Sequence, residues 1–270
     1  MTLDEATRLL AQAGVDNSRA DARLLLAHVL GISRDQTLTA TPTPEQSAQF
    51  AALVARRARR EPFAYITGGK EFWSLDFVVG PGVLIPRPDT ETLIEEALRL
   101  VPDRAALLRI ADLGTGSGAI LIAALKEFPN ATGIGFESSD AAFHYAAGNA
   151  ARLIGSRAEI RLTDWDKAQG MFDLIFSNPP YIPSGDIESL EPEVALCEPW
   201  AALDGGADGL DAYRGLAELL PGLLRPGGHA LLEIGLGQEI AVAPLFRGLE
   251  LVRIAPDLAG IARCVILRKP

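Results

Sequence analysis

Cysteine is nearly absent. Cys197 and Cys264 are the only two in 270 residues, and they stand far apart, outside any metal-ligand spacing. A disulfide framework and a zinc site are both excluded, so the two are read as reduced thiols and no metal is expected. Long apolar runs are missing too; Ala119–Leu125 is among the longest, far short of the roughly 20 residues that span a bilayer. Met1 to Leu10 carries Asp4, Glu5 and Arg8 in an amphipathic pattern, which fits neither a signal nor a transit peptide. A soluble cytoplasmic protein with no membrane partner is the expectation. Basic charge is also scarce where it would matter. The net charge is −10, with 8 Lys and Arg against 7 Asp and Glu up to residue 69, and 17 against 28 beyond it. Nucleic-acid binding rests on neutralising phosphates, so an acidic main body argues against a direct nucleic-acid partner. Histidine is sparse, and His28 and His144 fall on predicted helices, where packing or solvent exposure accounts for them.

What is present is core material: 48% of residues are hydrophobic and 22% charged, an ordinary globular balance. The length suits one large domain with a smaller companion. Start signals mark helices early on: Thr2 with Glu5, Ser18 with Asp21, and Thr43-Pro44-Glu45-Gln46. Residues 1–68 therefore read as a small helical domain. Arg56, Arg57, Arg59 and Arg60 cluster at a helix end, where surface charge that complements the helix dipole is the plain reading. Glu71 to Gly80, rich in aromatic and β-branched residues, reads as a strand ending in Pro81-Gly82, with Val83–Ile85 as its return. Residues 69–87 are thus expected to form a linking hairpin.

From residue 88 to 270 helix and strand alternate, which predicts an α/β fold with a parallel sheet covered on both faces. Strands are expected at Arg109–Leu113, Thr132–Phe136, Glu159–Leu162, Phe172–Ser177 and His229–Ile234, and helices at Ala119–Phe128 and Ala141–Ile154. Glu250–Ala255 and Arg263–Arg268 suit an antiparallel pair at the edge, making seven strands in all.

Two segments carry chemistry. Asp112-Leu-Gly114-Thr115-Gly116-Ser117-Gly118 puts a glycine-rich turn between a strand and a helix, where backbone approaches a ligand closely and helix N–H groups point at it. Glu137, 19 residues after Gly118, ends the next strand, where a carboxylate accepts both hydroxyls of a ribose. A nucleoside is implied, but Gly114-x-Gly116-x-x-Ala119 also satisfies a relaxed dinucleotide fingerprint, so a nicotinamide oxidoreductase stays open. Asp112 suits a cationic ammonium and the loop has no Lys or Arg for a pyrophosphate, which favours S-adenosylmethionine. Trp165, after the third strand, either covers the adenine or packs in the core.

The second segment is Asn178-Pro179-Pro180-Tyr181, at the end of a strand on the same sheet edge. Successive prolines offer carbonyls and no N–H, and the proline after Asn178 biases that residue toward extended backbone. The Asn178 side-chain oxygen and the Pro179 carbonyl can each accept one N–H of an incoming NH₂ group, and Tyr181 can stack on a flat acceptor. An exocyclic amine of a nucleic-acid base fits the same acceptors as an amide.

Taken together, these segments resemble the peptide chain release factor glutamine methyltransferases, also called HemK or PrmC proteins. The resemblance covers residues 60–270 closely and the helical part in layout. It is carried by Glu71-Phe-Trp, Leu84-Ile-Pro-Arg-Pro-Asp-Thr-Glu91, Asp112 to Gly118, Ser177 to Ile182, Asp208-Gly-Leu-Asp-Ala-Tyr213, Glu233-Ile-Gly235 and Asp257-Leu-Ala-Gly260. It implies a Rossmann-like, seven-stranded S-adenosylmethionine-dependent methyltransferase sheet. It also implies methylation of the glutamine in the Gly-Gly-Gln motif of class I release factors, with the helical domain gripping the factor. By the same likeness Gly114 to Gly118, Glu137, Trp165 and Asn178 are cofactor contacts, Asn178 to Tyr181 form the glutamine pocket, and the Pro86 to Glu91 loop approaches the methionine end. The family usually has Asp where this chain has Glu137.

Overall fold

A computed structural model describes residues 1–270. In chain order the helices are α1 (Leu3–Gln12), α2 (Ser18–Leu30), α3 (Pro44–Ala58), α4 (Phe63–Thr67), α5 (Glu91–Leu100), α6 (Ala119–Glu127), α7 (Asp140–Leu153), α8 (Pro192–Ala195), α9 (Asp211–Leu223) and α10 (Glu239–Val242). The strands are β1 (Gly69–Phe72), β2 (Leu75–Val78), β3 (Arg109–Leu113), β4 (Thr132–Glu137), β5 (Ala158–Leu162), β6 (Phe172–Ser177), β7 (Leu224–Glu233), β8 (Glu250–Pro256) and β9 (Ala262–Arg268). No helix is long and apolar enough to cross a membrane.

The chain divides into two compact units, one of Met1–Gly69 with Glu191–Cys197, the other of Lys70–Leu190 with Glu198–Pro270. In the first, Thr2 with Glu5 and Thr43 with Gln46 form complete capping boxes, each satisfying two helix-end N–H groups reciprocally. Ser18 does not cap α2; Asn17 holds that position without a side-chain bond. Ala6, Leu10, Leu25, Phe50 and Val54 share one apolar core. The arginine cluster is not a free basic patch. Arg56 pairs with Glu61, while Arg57 bonds Asp21 at 2.7 Å and Glu193 at 2.6 Å, and Arg60 meets the same Glu193. Pairing at this depth offsets the cost of burying the Arg57 guanidinium.

The second unit holds a seven-stranded sheet in the order β5-β4-β3-β6-β7-β9-β8. The first five strands run parallel, and β9 joins β7 and β8 antiparallel. Fully buried strands explain the near-continuous apolar runs of β3 and β6. Phe136, Phe172, Ile175, Tyr213, Leu220 and Val265 lie in the core cluster around this sheet. The order reverses direction at β3, between β4 and β6, and such a switch point opens a crevice at the carboxyl ends of the strands. Asp112 of β3 pairs with Phe176 of β6, so the glycine loop and the Asn178 segment leave the sheet side by side.

Two elements differ from the reading of the sequence. The hairpin turns at Trp73 and Ser74, between β1 and β2, and Val83–Ile85 is no strand. Trp73 and Ser74 have φ of 52° and 54°, a left-handed conformation that ordinarily calls for Asn or Gly. Tertiary bonds hold it: the Trp73 backbone N–H donates to Glu91 at 2.7 Å and its indole N–H to Glu127 at 2.8 Å. Strand β7 begins at Leu224 rather than His229, because it pairs with Phe172 before a register shift that carries Pro226-Gly227-Gly228.

Candidate active site

Gly114 and Gly116 have φ of 75° and 57°, where a Cβ would be strained. A Cβ on Gly114 would also stand 3.1 Å from the Trp165 ring. The Gly114 and Thr115 N–H groups donate to the Phe136 carbonyl at 3.0 Å, which ties the loop to β4. Only alternate loop residues reach the opening. Gly114 and Gly116 line a cavity of about 320 Å³, while Thr115, Ser117 and Gly118 are buried behind them. Asn149 of α7 was not singled out in the sequence, yet its amide donates to the Ser117 carbonyl at 3.0 Å and exchanges two bonds with Val78. An interior-facing Asn on a helix gives no signal of that partner.

Glu137, Ser139, Asp164, Trp165, Asn178 and Pro180 complete much of the cavity wall, together with Gly82, Leu84, Pro199 and Ala202. No Lys or Arg lines it. Glu137 accepts from the Gly116 and Ser139 N–H groups, both at 2.8 Å. Burial raises its carboxyl above the usual range, against the pull of those N–H donors. Trp165 packs against the sheet core on one side and lines the cavity on the other.

Asp112 lies beneath the loop, wholly buried, with Oδ2 accepting from the Thr115 hydroxyl at 2.6 Å. Its Oδ1 has no hydrogen-bond partner, and the residue is not part of the cavity wall. At the other wall, Asn178 Nδ2 donates to the Thr90 hydroxyl at 3.4 Å. Pro179 is buried. Tyr181 turns its hydroxyl inward to Glu233 Oε1 at 3.2 Å. Glu198, not singled out in the sequence, accepts from the Arg87 guanidinium of the Pro86–Glu91 loop at 2.5 Å and from the Ile85 N–H at 3.3 Å. No group of three or more His, Cys, Asp or Glu side chains is placed to hold a metal ion.

Two buried carboxyls make stability depend on pH. Burial pushes Asp112 from 3.8 up to about 7 and Glu233 from 4.5 up to about 7. A group whose pKa is higher folded than unfolded contributes stability that is complete below the unfolded value and lost as pH rises through the folded one. Melting temperature is therefore expected to fall as pH rises from about 5 to about 8, and Asp112→Asn should flatten that slope. Glu61 acts oppositely: hydrogen bonding from Arg56 holds it low, so its contribution disappears only in acid. A wild-type melting temperature constant across that interval would mean that these carboxyls stay charged in the fold.

The cavity wall carries the carboxylates of Glu137 and Asp164 and none of the basic groups a phosphate demands. Residues 2–68 match the model of the PrmC N-terminal domain family, and residues 105–231 match that of a methyltransferase domain. A release factor glutamine methyltransferase of Rhodospirillum rubrum is 47% identical over 274 residues, covering 99% of this chain and 84% of its own. One from Geobacter sulfurreducens is 47% identical over 253 residues, covering 90% and 86%. Among solved structures, a methyltransferase from Pyrococcus furiosus superposes with a TM-score of 0.53 at 21% identity, covering 80% of this chain and 98% of its own, a likeness of fold alone.

Proposed function

The chain belongs to the release factor glutamine methyltransferase family, and from that premise we propose that it methylates the side-chain amide nitrogen of the glutamine in the Gly-Gly-Gln motif of class I release factors, with S-adenosylmethionine as donor, so modulating translation termination in the cytoplasm. The observation that carries this reading is the adjacency of the glycine loop and the Asn178-Pro179-Pro180 segment at one cavity. Gly114, Gly116, Glu137 and Trp165 face the nucleoside, Glu137 accepting the ribose hydroxyls and Trp165 contacting the base. Asp112, Thr115, Ser117 and Gly118 fix the shape of the loop from behind. The cofactor supplies an electrophilic methyl group on a sulfonium.

An amide nitrogen is a poor nucleophile because its lone pair is delocalised, so orientation counts for more than a strong base. Asn178 Oδ1 and the Pro179 carbonyl each accept one N–H of the substrate amide and set the nitrogen's lone pair toward the methyl group. The ring of Tyr181 flanks the flat amide while its hydroxyl is anchored at Glu233. A methylated, cationic nitrogen then loses its proton readily without a dedicated base. The cavity wall lacks basic residues, which favours a protein acceptor over a phosphate-bearing one. Residues 1–68 act as the docking domain for the factor.

Mass spectrometry of a release factor after incubation with enzyme and cofactor tests both parts. A methyl group on the side-chain nitrogen of the Gly-Gly-Gln glutamine is expected, with the intact factor modified faster than a short peptide carrying the same motif. Methylation elsewhere sinks the assignment of the acceptor. Equal rates for peptide and factor sink the docking role.

A further inference from the structure

Gln238 was not singled out in the sequence, and its side chain has no role at a helix end: it stands between β7 and α10 and makes no capping bond. Its backbone N–H closes a turn onto the Gly235 carbonyl at 3.2 Å. That turn folds the side chain back over the end of β7, where it meets the rear of the Asn178–Tyr181 segment. It takes no part in the cavity wall.

Gln238 Nε2 donates to the Tyr181 carbonyl at 3.0 Å and to the Gly209 carbonyl at 3.3 Å. Oε1 accepts from the Gly235 N–H at 2.9 Å. These partners fix which end of the amide is which, because a flipped side chain would set its oxygen against two carbonyls and its NH₂ against an N–H. One side chain thus joins the acceptor segment, the loop before α9 and the turn after β7.

The acceptor segment needs an outside donor. Pro179 and Pro180 have no N–H with which to tie it down, so its carbonyls are the backbone groups left, and the Tyr181 carbonyl is the one that Gln238 holds. The Tyr181 hydroxyl is held separately, by Glu233 Oε1 at 3.2 Å. Between these two anchors the ring lies on bare backbone: a Cβ on Gly235 would stand 3.0 Å from Tyr181 Cδ2 and 2.9 Å from Gln238 Oε1. A Cβ on Gly209 would collide with the Tyr181 carbonyl oxygen. Tyr181 is therefore fastened at both ends and flanked by residues without side chains.

We propose that Gln238 is a positioning residue for methyl transfer, whose amide clamps the Tyr181 carbonyl and so fixes the Tyr181 ring beside the acceptor. This rests on the glutamine-amide reading above and deepens it. Transfer to an amide nitrogen depends on placement to within about 1 Å, and a ring that rocks about an unheld carbonyl forfeits it. Gln238 acts without touching substrate or cofactor.

The test compares wild type, Gln238→Glu and Gln238→Met at about pH 8, where a glutamate side chain is charged. Glutamate keeps the acceptor for the Gly235 N–H and loses both donors; methionine keeps the length and loses donors and acceptor alike. Both variants are expected to lower kcat for methyl transfer to a release factor about 10-fold, the scale of one lost hydrogen bond. The Kd for S-adenosylmethionine by calorimetry should stay within about 2-fold of wild type. In a Tyr181→Ala background Gln238→Glu should cost less than about 2-fold, because the ring it positions is gone. Fluorotyrosine labelling reads the ring without any substrate: the chain has four tyrosines, Tyr181→Phe identifies the Tyr181 signal, and in Gln238→Glu that signal should shift or broaden while those of Tyr65 and Tyr145 stay in place. Wild-type kcat in Gln238→Glu overturns the proposal, and so does an undiminished loss in the Tyr181→Ala background, a matching loss of cofactor affinity, or an unmoved Tyr181 signal. If Gln238→Met does not fold, Gln238→Glu, which retains the contact at Gly235, carries the comparison. A wild-type enzyme that leaves the glutamine unmodified removes the underlying reading instead, and the Tyr181 signal then still decides whether Gln238 holds the ring.

Discussion

Asn178→Ala is expected to bind S-adenosylmethionine nearly as well as the wild type and to transfer its methyl group about 100- to 1,000-fold more slowly, the usual cost of deleting one preorganised polar contact to the reacting group. The side chain occupies the cavity wall and reaches Thr90. Its removal leaves the loop from β3 and the Glu137 bonds in place. In the proposed geometry the Pro179 carbonyl still holds one N–H of the substrate, but a single contact allows the amide to swing, and the fraction of encounters with the lone pair aligned drops. The loss belongs in kcat more than in KM, because a poorly oriented amide can still bind. Single-turnover rates together with calorimetric cofactor affinity separate the two. Turnover near normal would remove Asn178 from the acceptor site.

Glu137→Ala is expected to weaken S-adenosylmethionine binding by roughly 100-fold, since bonds from hydroxyls to a partly buried carboxylate are each worth about 1.5–3 kcal/mol. A second cost falls on the protein itself. The carboxylate accepts from the Gly116 and Ser139 N–H groups, and both donors lose their partner together. The glycine loop then keeps only its backbone bonds to the Phe136 carbonyl at the end of β4, so a lower melting temperature should accompany the weaker affinity. Glu137→Asp discriminates the two contributions. The shorter side chain keeps the charge but falls short of spanning from Ser139 to Gly116, so affinity should drop by less than in the alanine variant while the loop still loosens. Cofactor affinity unchanged in Glu137→Ala would move the ribose elsewhere.

Much of the architecture could be read from the chain because it depends on local pattern. The buried strands β3 and β6 show as apolar runs ending at Gly114 and Asn178, and the antiparallel pair β8 and β9 shows as two short runs near the end of the chain. Capping boxes at Thr2 and Thr43 are four-residue signals and were correctly located. What escaped depends on distant partners. The turn at Trp73 and Ser74 defies local propensity and is held by Glu91 and Glu127. The return of Glu191–Cys197 to the helical unit has no local marker, and its purpose shows only when Glu193 is seen between Arg57 and Arg60. Within the site, residues on the loop ends were legible from type and spacing. Asn149 and Glu198, which support those ends from behind, were not, and Thr90 and Glu233 were marked only by the family resemblance, because a buried polar residue reveals its partner only in three dimensions.

The most direct test of the central claim is transfer of labelled methyl from S-adenosylmethionine to an unmethylated class I release factor, run beside the same factor with its Gly-Gly-Gln glutamine replaced and beside DNA and RNA. Label that enters the factor and vanishes with that glutamine is the predicted result. Label in the nucleic acid, or in the glutamine-replaced factor at an undiminished rate, would contradict the account.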